Sequence, residues 1–185
     1  VSEFRRPEFV GPTVSSELLW KGFQAVSFAL IAILIYIWLR FEWQFGFGAV
    51  VALTHDVLFT LGVLSILNIE FSLSTIAAVL TIAGYSINDT VVIFDRVREN
   101  LRKYKKIELM DVFNMSINNT LSRTVMTSIT TLLALISLFL FGGEVIKPFA
   151  LTMIIGVLVG TYSSIFIAVP TLLVFKFRPQ EEDNS

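Results

Sequence analysis

The chain has 185 residues, 55% of them hydrophobic and only 16% charged. Soluble domains carry about 25% charged residues, so this composition excludes an ordinary soluble domain, and its apolar excess also excludes a disordered chain. A formal charge of −1 gives no global support for nucleic-acid binding, and the absence of cysteine removes disulfides, thiolate metal sites and cysteine nucleophiles.

The chain opens on the polar VSEFRRPEF without an initiator methionine, which suggests a piece of a longer protein. A membrane core of about 30 Å needs roughly 20 apolar helical residues, and five stretches qualify. They cover about 19–39, 45–67, 71–94, 125–141 and 149–175. The fourth is the shortest and needs its threonine-rich start to complete a span. Together they predict an all-α, polytopic bundle of five membrane helices over 19–176. The final 177–185 read as a polar, disordered tail.

Between the third and fourth spans, residues 96–123 begin basic (RVRENLRKYKK) and then turn amphipathic. Met110, Phe113, Ile117 and Leu121 recur at helical spacing, which predicts one helix lying on the membrane surface. Basic residues orient the bundle. With the C-terminus inside, ten of the fourteen fall on the cytoplasmic side, seven of them between Arg96 and Arg123. The N-terminus of the chain is then extracytoplasmic and the C-terminus cytoplasmic.

Ionisable groups within a bilayer cost roughly 2.5–3.5 kcal/mol at a helix centre on insertion scales, so each marks a candidate site. The second span carries His55 and Asp56, and the third Asn88 and Asp89. Thr81, Tyr85, Asn88 and Asp89 fall on one side of the third helix, a stripe that should face the bundle interior or a wet cavity. Arg123 opens the fourth span, followed by Thr124, Thr127, Ser128, Thr130 and Thr131, and its long side chain can reach inward. Asp89 is the leading proton carrier; a static carboxylate that fixes packing is the alternative. Asp56 divides evenly between those two roles, and His55 reads as its local partner.

The fifth span carries Gly156, Gly160, Ser164 and Ala168 at every fourth position, a small-residue face for close packing. Pro170 should loosen the helix beyond it. No GxxxxGK[ST] loop and no credible serine–histidine–acid set is present, so ATP binding, enzyme activity, metal and cofactor have no support.

Several segments together carry a resemblance: VGPTVSSEL, RFEW with ALTHDV, GYSINDTVVIFDRVREN, NNTLSRTVMTSITT and FGGEVIKPFALTMIIGVLVGTYSSI. The chain resembles the SecF family of the SecD–SecF protein-export machinery, within the resistance-nodulation-division superfamily. That resemblance implies a six-helix protein whose first helix and most of its extracytoplasmic domain precede this chain, with residues 1–18 as the remnant of that soluble domain. It implies SecD as partner, the SecYEG translocon and YidC as associates, and a preprotein as cargo in the bacterial plasma membrane. The acid and arginine of the family's proton pathway look like Asp89 and Arg123, with Asn88 and Tyr85 in the same motif and Asp56 in a matched His-Asp pair. A small-solute exporter of the same superfamily and a passive scaffold for translocon subunits are the alternative functions.

Overall fold

The computed structural model describes residues 12–69 and 72–175. The expected tail at 177–185 and the first eleven residues of the expected soluble remnant lie outside the described residues. Five helices are long and apolar enough to cross a membrane. They are α1 (Pro12–Arg40), α2 (Trp43–Ile66), α3 (Leu73–Lys103), α4 (Leu109–Phe141), and α5 (Lys147–Ser163), which runs through a π turn (Ser164–Ala168) into the short α6 (Val169–Val174). No strand occurs among the described residues.

Local chemistry sets the breaks. The turn between α2 and α3 places Asn68 at φ 52°, in the left-handed region that asparagine tolerates better than most residues. Ser72 then caps α3: its Oγ accepts from the Thr75 amide, and the Thr75 side chain accepts from the Ser72 amide, a reciprocal capping box. Gly143 takes φ 76° in the turn between α4 and α5. Glu17 and Lys21 pair at 2.7 Å one helical turn apart, and that hydrogen bond with the lysine charge holds the Glu17 carboxyl below its ordinary range.

Three boundaries differ from the sequence-based expectation. Residues 109–123 do not form a separate surface helix; they are the first half of α4, continuous with the fourth span. Likewise α3 continues to Lys103, so only residues 104–108 turn the chain. The buried face of this segment is also shifted. Met110 and Leu121 are exposed, while Val112, Phe113, Ser116, Thr120, Thr124 and Ser128 are buried. The cause is packing distance: small polar residues every fourth position let α4 approach its neighbours closely, and the hydroxyls of Ser116, Thr120 and Ser128 bond within the bundle. Ser116 bonds its own helix at Val112 O and receives Asn100 Nδ2 of α3 at 2.9 Å. At the other end of α1, residues 12–18 are helical, so α1 begins seven residues before the expected span.

The core has two apolar clusters. One packs Ile37, Phe41, Phe45, Phe94, Val97, Phe113 and Leu172 near the Arg-rich end, with Phe94 edge-on to Phe45 at 5.1 Å between ring centres. The other joins Ala78, Ile82, Leu135, Met153 and Val157. Near Pro170 the helix loosens as expected. Proline lacks an N–H and clashes with the carbonyl four residues back, and the π turn immediately before it absorbs that misfit.

Candidate functional site

A layer of buried polar side chains includes Asp56, Thr60, Ser86, Asp89, Thr124, Ser128, Ser163 and Ser164. They come in pairs from α2, α3, α4 and the junction of α5 with the π turn, and α5 brings them together. Gly156 lies directly against Ile82 of α3, leaving no room for a Cβ. A Cβ on Gly160 would stand 3.1 Å from Ser86 Cβ and 3.6 Å from Asp56 Oδ2. The small face of α5 is therefore turned into this chain's own bundle, against α3. Ser164 lies on it too, fully buried, donating to Thr161 O at 3.0 Å.

Asp56 is fully buried. Its Oδ2 accepts from Ser86 Oγ at 2.5 Å and from Ser163 Oγ at 2.7 Å, and its Oδ1 lies 3.1 Å from His55 Nδ1. One carboxylate thereby ties α2, α3 and α5 together. His55 is about one-third exposed and packs beside Phe59, so it covers the acid from the outside of the bundle.

Asp89 sits on α3 three residues beyond Ser86, about 4.5 Å along the axis. Its surroundings are the opposite of those of Asp56. The residue is 3% exposed, yet Oδ2 is buried without a hydrogen-bond partner. Two more buried oxygens lack a partner, Tyr85 Oη one turn away on α3 and Thr124 Oγ1, next to Arg123 on α4. Arg123 is exposed and makes no ion pair with Asp89, though it is close enough for its charge to act on the carboxylate. The inward reach expected of Arg123 is thus not taken up in this conformation.

The predicted stripe on α3 is split rather than uniform. Asp89 is buried and Tyr85 half-buried, but Thr81 and Asn88 are exposed. Successive helical residues are rotated by about 100°, so Asn88 and Asp89 occupy opposite edges of the stripe and only one edge reaches the interior. Thr81 satisfies its hydroxyl on Ala77 O, and Thr127 of α4 bonds to the carbonyls of Arg123 and Thr124. Asn88, Thr81 and Thr130 leave a polar strip on the outside of α3 and α4, at membrane depth.

Sequence reasoning missed the serines that hold Asp56. Ser163 stands out only as a hydroxyl within an apolar span, and Ser86 only by lying one turn before Asp89. It also missed Ser128–Thr161, a 2.6 Å bridge between α4 and α5. No group of three histidine, cysteine, aspartate or glutamate side chains suited to a metal occurs among the described residues.

A multi-pass helical membrane protein with an isolated, buried carboxylate beside a polar outer strip is the class this fold and site define. Residues 2–178 match the family model described as protein export membrane protein SecD/SecF, C-terminal, and the chain belongs to that family. It is 57% identical over 176 residues to the protein translocase subunit SecF of Rickettsia rickettsii, covering 95% of this chain and 57% of that protein. The corresponding subunit of Rickettsia bellii is 56% identical over 180 residues, covering 97% and 59%. Among solved structures, SecDF of Thermus thermophilus, a translocon-associated membrane protein, superposes with a TM-score of 0.85 at 46% identity, over 90% of this chain and 23% of that one. SecDF in its super-membrane-facing form gives 0.80 at 44% identity, over 90% and 22%. The chain thus spans under two-thirds of the curated relatives it matches.

Proposed function

We propose that this chain is the membrane part of a SecF-type subunit that couples proton movement to the export of preproteins. The observation that carries the reading is Asp89: a carboxylate removed from water, with one oxygen unsatisfied, beside the polar strip on α3 and α4. A buried acid with unmet hydrogen-bonding capacity is costly when static. It suits a group that gains and loses a proton as its surroundings rearrange. Burial disfavours the charged form while a nearby cation favours it, so moving Arg123 toward or away from Asp89 changes which form is stable.

In this reading Arg123 approaches Asp89 in one state of the cycle and withdraws in another. Asn88, Tyr85, Thr81 and Thr127 line the route between the acid and the outer strip. Asp56, already satisfied by two serines, holds the helices while Asp89 titrates. The outer strip meets the membrane helices of a SecD partner, which would cover polar groups that lipid cannot satisfy. SecYEG and YidC are associates, and a preprotein is moved by parts of the subunit beyond this chain. The assignment places the protein in the bacterial inner membrane, with the C-terminus and the basic turn at residues 104–108 on the cytoplasmic side. The chain itself carries out no enzymatic step.

The test is Asp89→Asn in the full-length subunit with SecD. Asparagine keeps the shape and cannot titrate. The complex should assemble normally and lose the part of preprotein export that depends on the proton gradient. Export at the wild-type rate overturns the assignment.

A further inference from the structure

At the Arg-rich end of the bundle, outside the buried layer, lies an open cleft of about 540 Å³ lined by Arg40, Asp95, Arg98, Glu99, Arg102 and Lys103. Its carboxylates are already engaged. Asp95 accepts from Arg40 Nη2 at 2.8 and 3.1 Å, and Glu99 accepts from Arg96 Nη1 at 2.6 Å. Behind the cleft, Glu42 stands 3.4 Å from Arg98 Nε, too poorly aligned for a hydrogen bond, so that buried N–H remains without one. Arg102 and Lys103 have no carboxylate within 4 Å among the described residues; Lys103 lies over the Tyr104 ring. After internal pairing the cleft therefore keeps two unneutralised cations.

Depth adds a second, independent constraint. Arg40 ends one membrane span and Trp43 begins the next, and Trp38, Leu39 and Trp43 are all exposed at that level. Exposed tryptophans flanking an apolar span mark the boundary between hydrocarbon and headgroups. Asp95 is level with Arg40, to which it bonds, and Arg102 lies seven residues further along α3, about 10 Å. A headgroup layer is roughly 5–8 Å thick on each side of the hydrocarbon. The cleft thus begins at that layer and extends outward from it, with charged side chains along its whole lining.

We propose that this cleft binds a phosphate-bearing anion, with Arg102 and Lys103 as its principal charges and Arg98 as an inner donor. Guanidinium groups match phosphate oxygens in geometry, and basic pockets at membrane-helix ends suit anionic headgroups. The site is independent of Asp89 and of proton coupling. An anionic diacyl lipid and a free phosphate share the recognised group; only the lipid also brings acyl chains to lie against the exposed Trp38 and Leu39 beside Arg40.

Native mass spectrometry of the full-length subunit, titrated separately with phosphatidylglycerol, phosphatidylcholine and inorganic phosphate, tests the site. Wild-type protein should retain phosphatidylglycerol over phosphatidylcholine by roughly tenfold. Arg102→Gln with Lys103→Gln should abolish that preference, whereas Lys105→Gln with Lys106→Gln, which removes the same charge outside the cleft, should keep it. Displacement of the bound lipid by millimolar inorganic phosphate identifies a soluble phosphate as sufficient; resistance identifies the lipid. Equal retention of both lipids with no phosphate adduct overturns the proposal. So does an equal loss of preference in the two double variants, since that reports net charge rather than a site.

Discussion

Ser163 of α5 donates its hydroxyl to Asp56 of α2 across 2.7 Å, 107 residues apart in sequence and fully buried. With Ser86 on the other side, this makes Asp56 the joint of three helices and leaves Asp89, one turn along α3, as the acid without a settled partner. In the proposed function the two carboxylates divide the work: one holds the helices and the other takes up and releases the proton.

Removing a donor from Asp56 should therefore cost stability. Ser163→Ala is expected to destabilise the bundle by about 0.6–2 kcal/mol, the range for membrane hydrogen bonds and for bonds to charged acceptors. Ser86→Ala should act similarly, and the double variant should lose less than the sum, because one donor's loss relaxes the other. Thermal unfolding in detergent checks this; additive losses would mean that the two serines do not share one acceptor.

The glycines of α5 give a graded test of packing. Gly156→Ala drives a methyl group into the Ile82 side chain and should cost about 1–3 kcal/mol. Gly62→Ala meets nothing within 4 Å and should be neutral or stabilise by up to about 1 kcal/mol through helix propensity. Thermal unfolding again decides, and equal effects at the two sites would contradict the packing of α5 on α3.

Much of this bundle was legible in the sequence because hydrocarbon imposes length and apolarity on every span. The five stretches and Pro170 follow from that constraint. The continuity of α3 and α4 beyond the membrane did not, since a polar helical segment looks alike whether it lies on a surface or stands upright. The sequence ranked Asp89 ahead of Asp56 as the proton carrier, but not for the reason the structure supplies. That reason rests on Ser163 and Gly160, which become neighbours of Asp56 only when α5 packs against α2 and α3. The Asn88–Asp89 pair reads as one polar step in sequence, yet the helix turns one residue outward and the other inward.

Topology is testable because the chain has no cysteine of its own. Single cysteines at Glu144, in the turn between α4 and α5, and at Lys105, between α3 and α4, should react with an impermeant thiol reagent from opposite faces of the membrane. Glu144 should label from the extracytoplasmic side. Labelling of both from one face would overturn the proposed orientation and the crossing of α4 together.

The central claim is that Asp89 is the group that takes up and releases the proton, and infrared difference spectroscopy reads it most directly. Full-length subunit with its SecD partner, in membranes, is taken through a pH step and the carbonyl band of a protonated carboxyl is followed. The account predicts a pH-dependent band that disappears in Asp89→Asn and survives in Asp56→Asn. A band that persists in Asp89→Asn, or vanishes in Asp56→Asn instead, would contradict the assignment and make Asp56 the proton carrier.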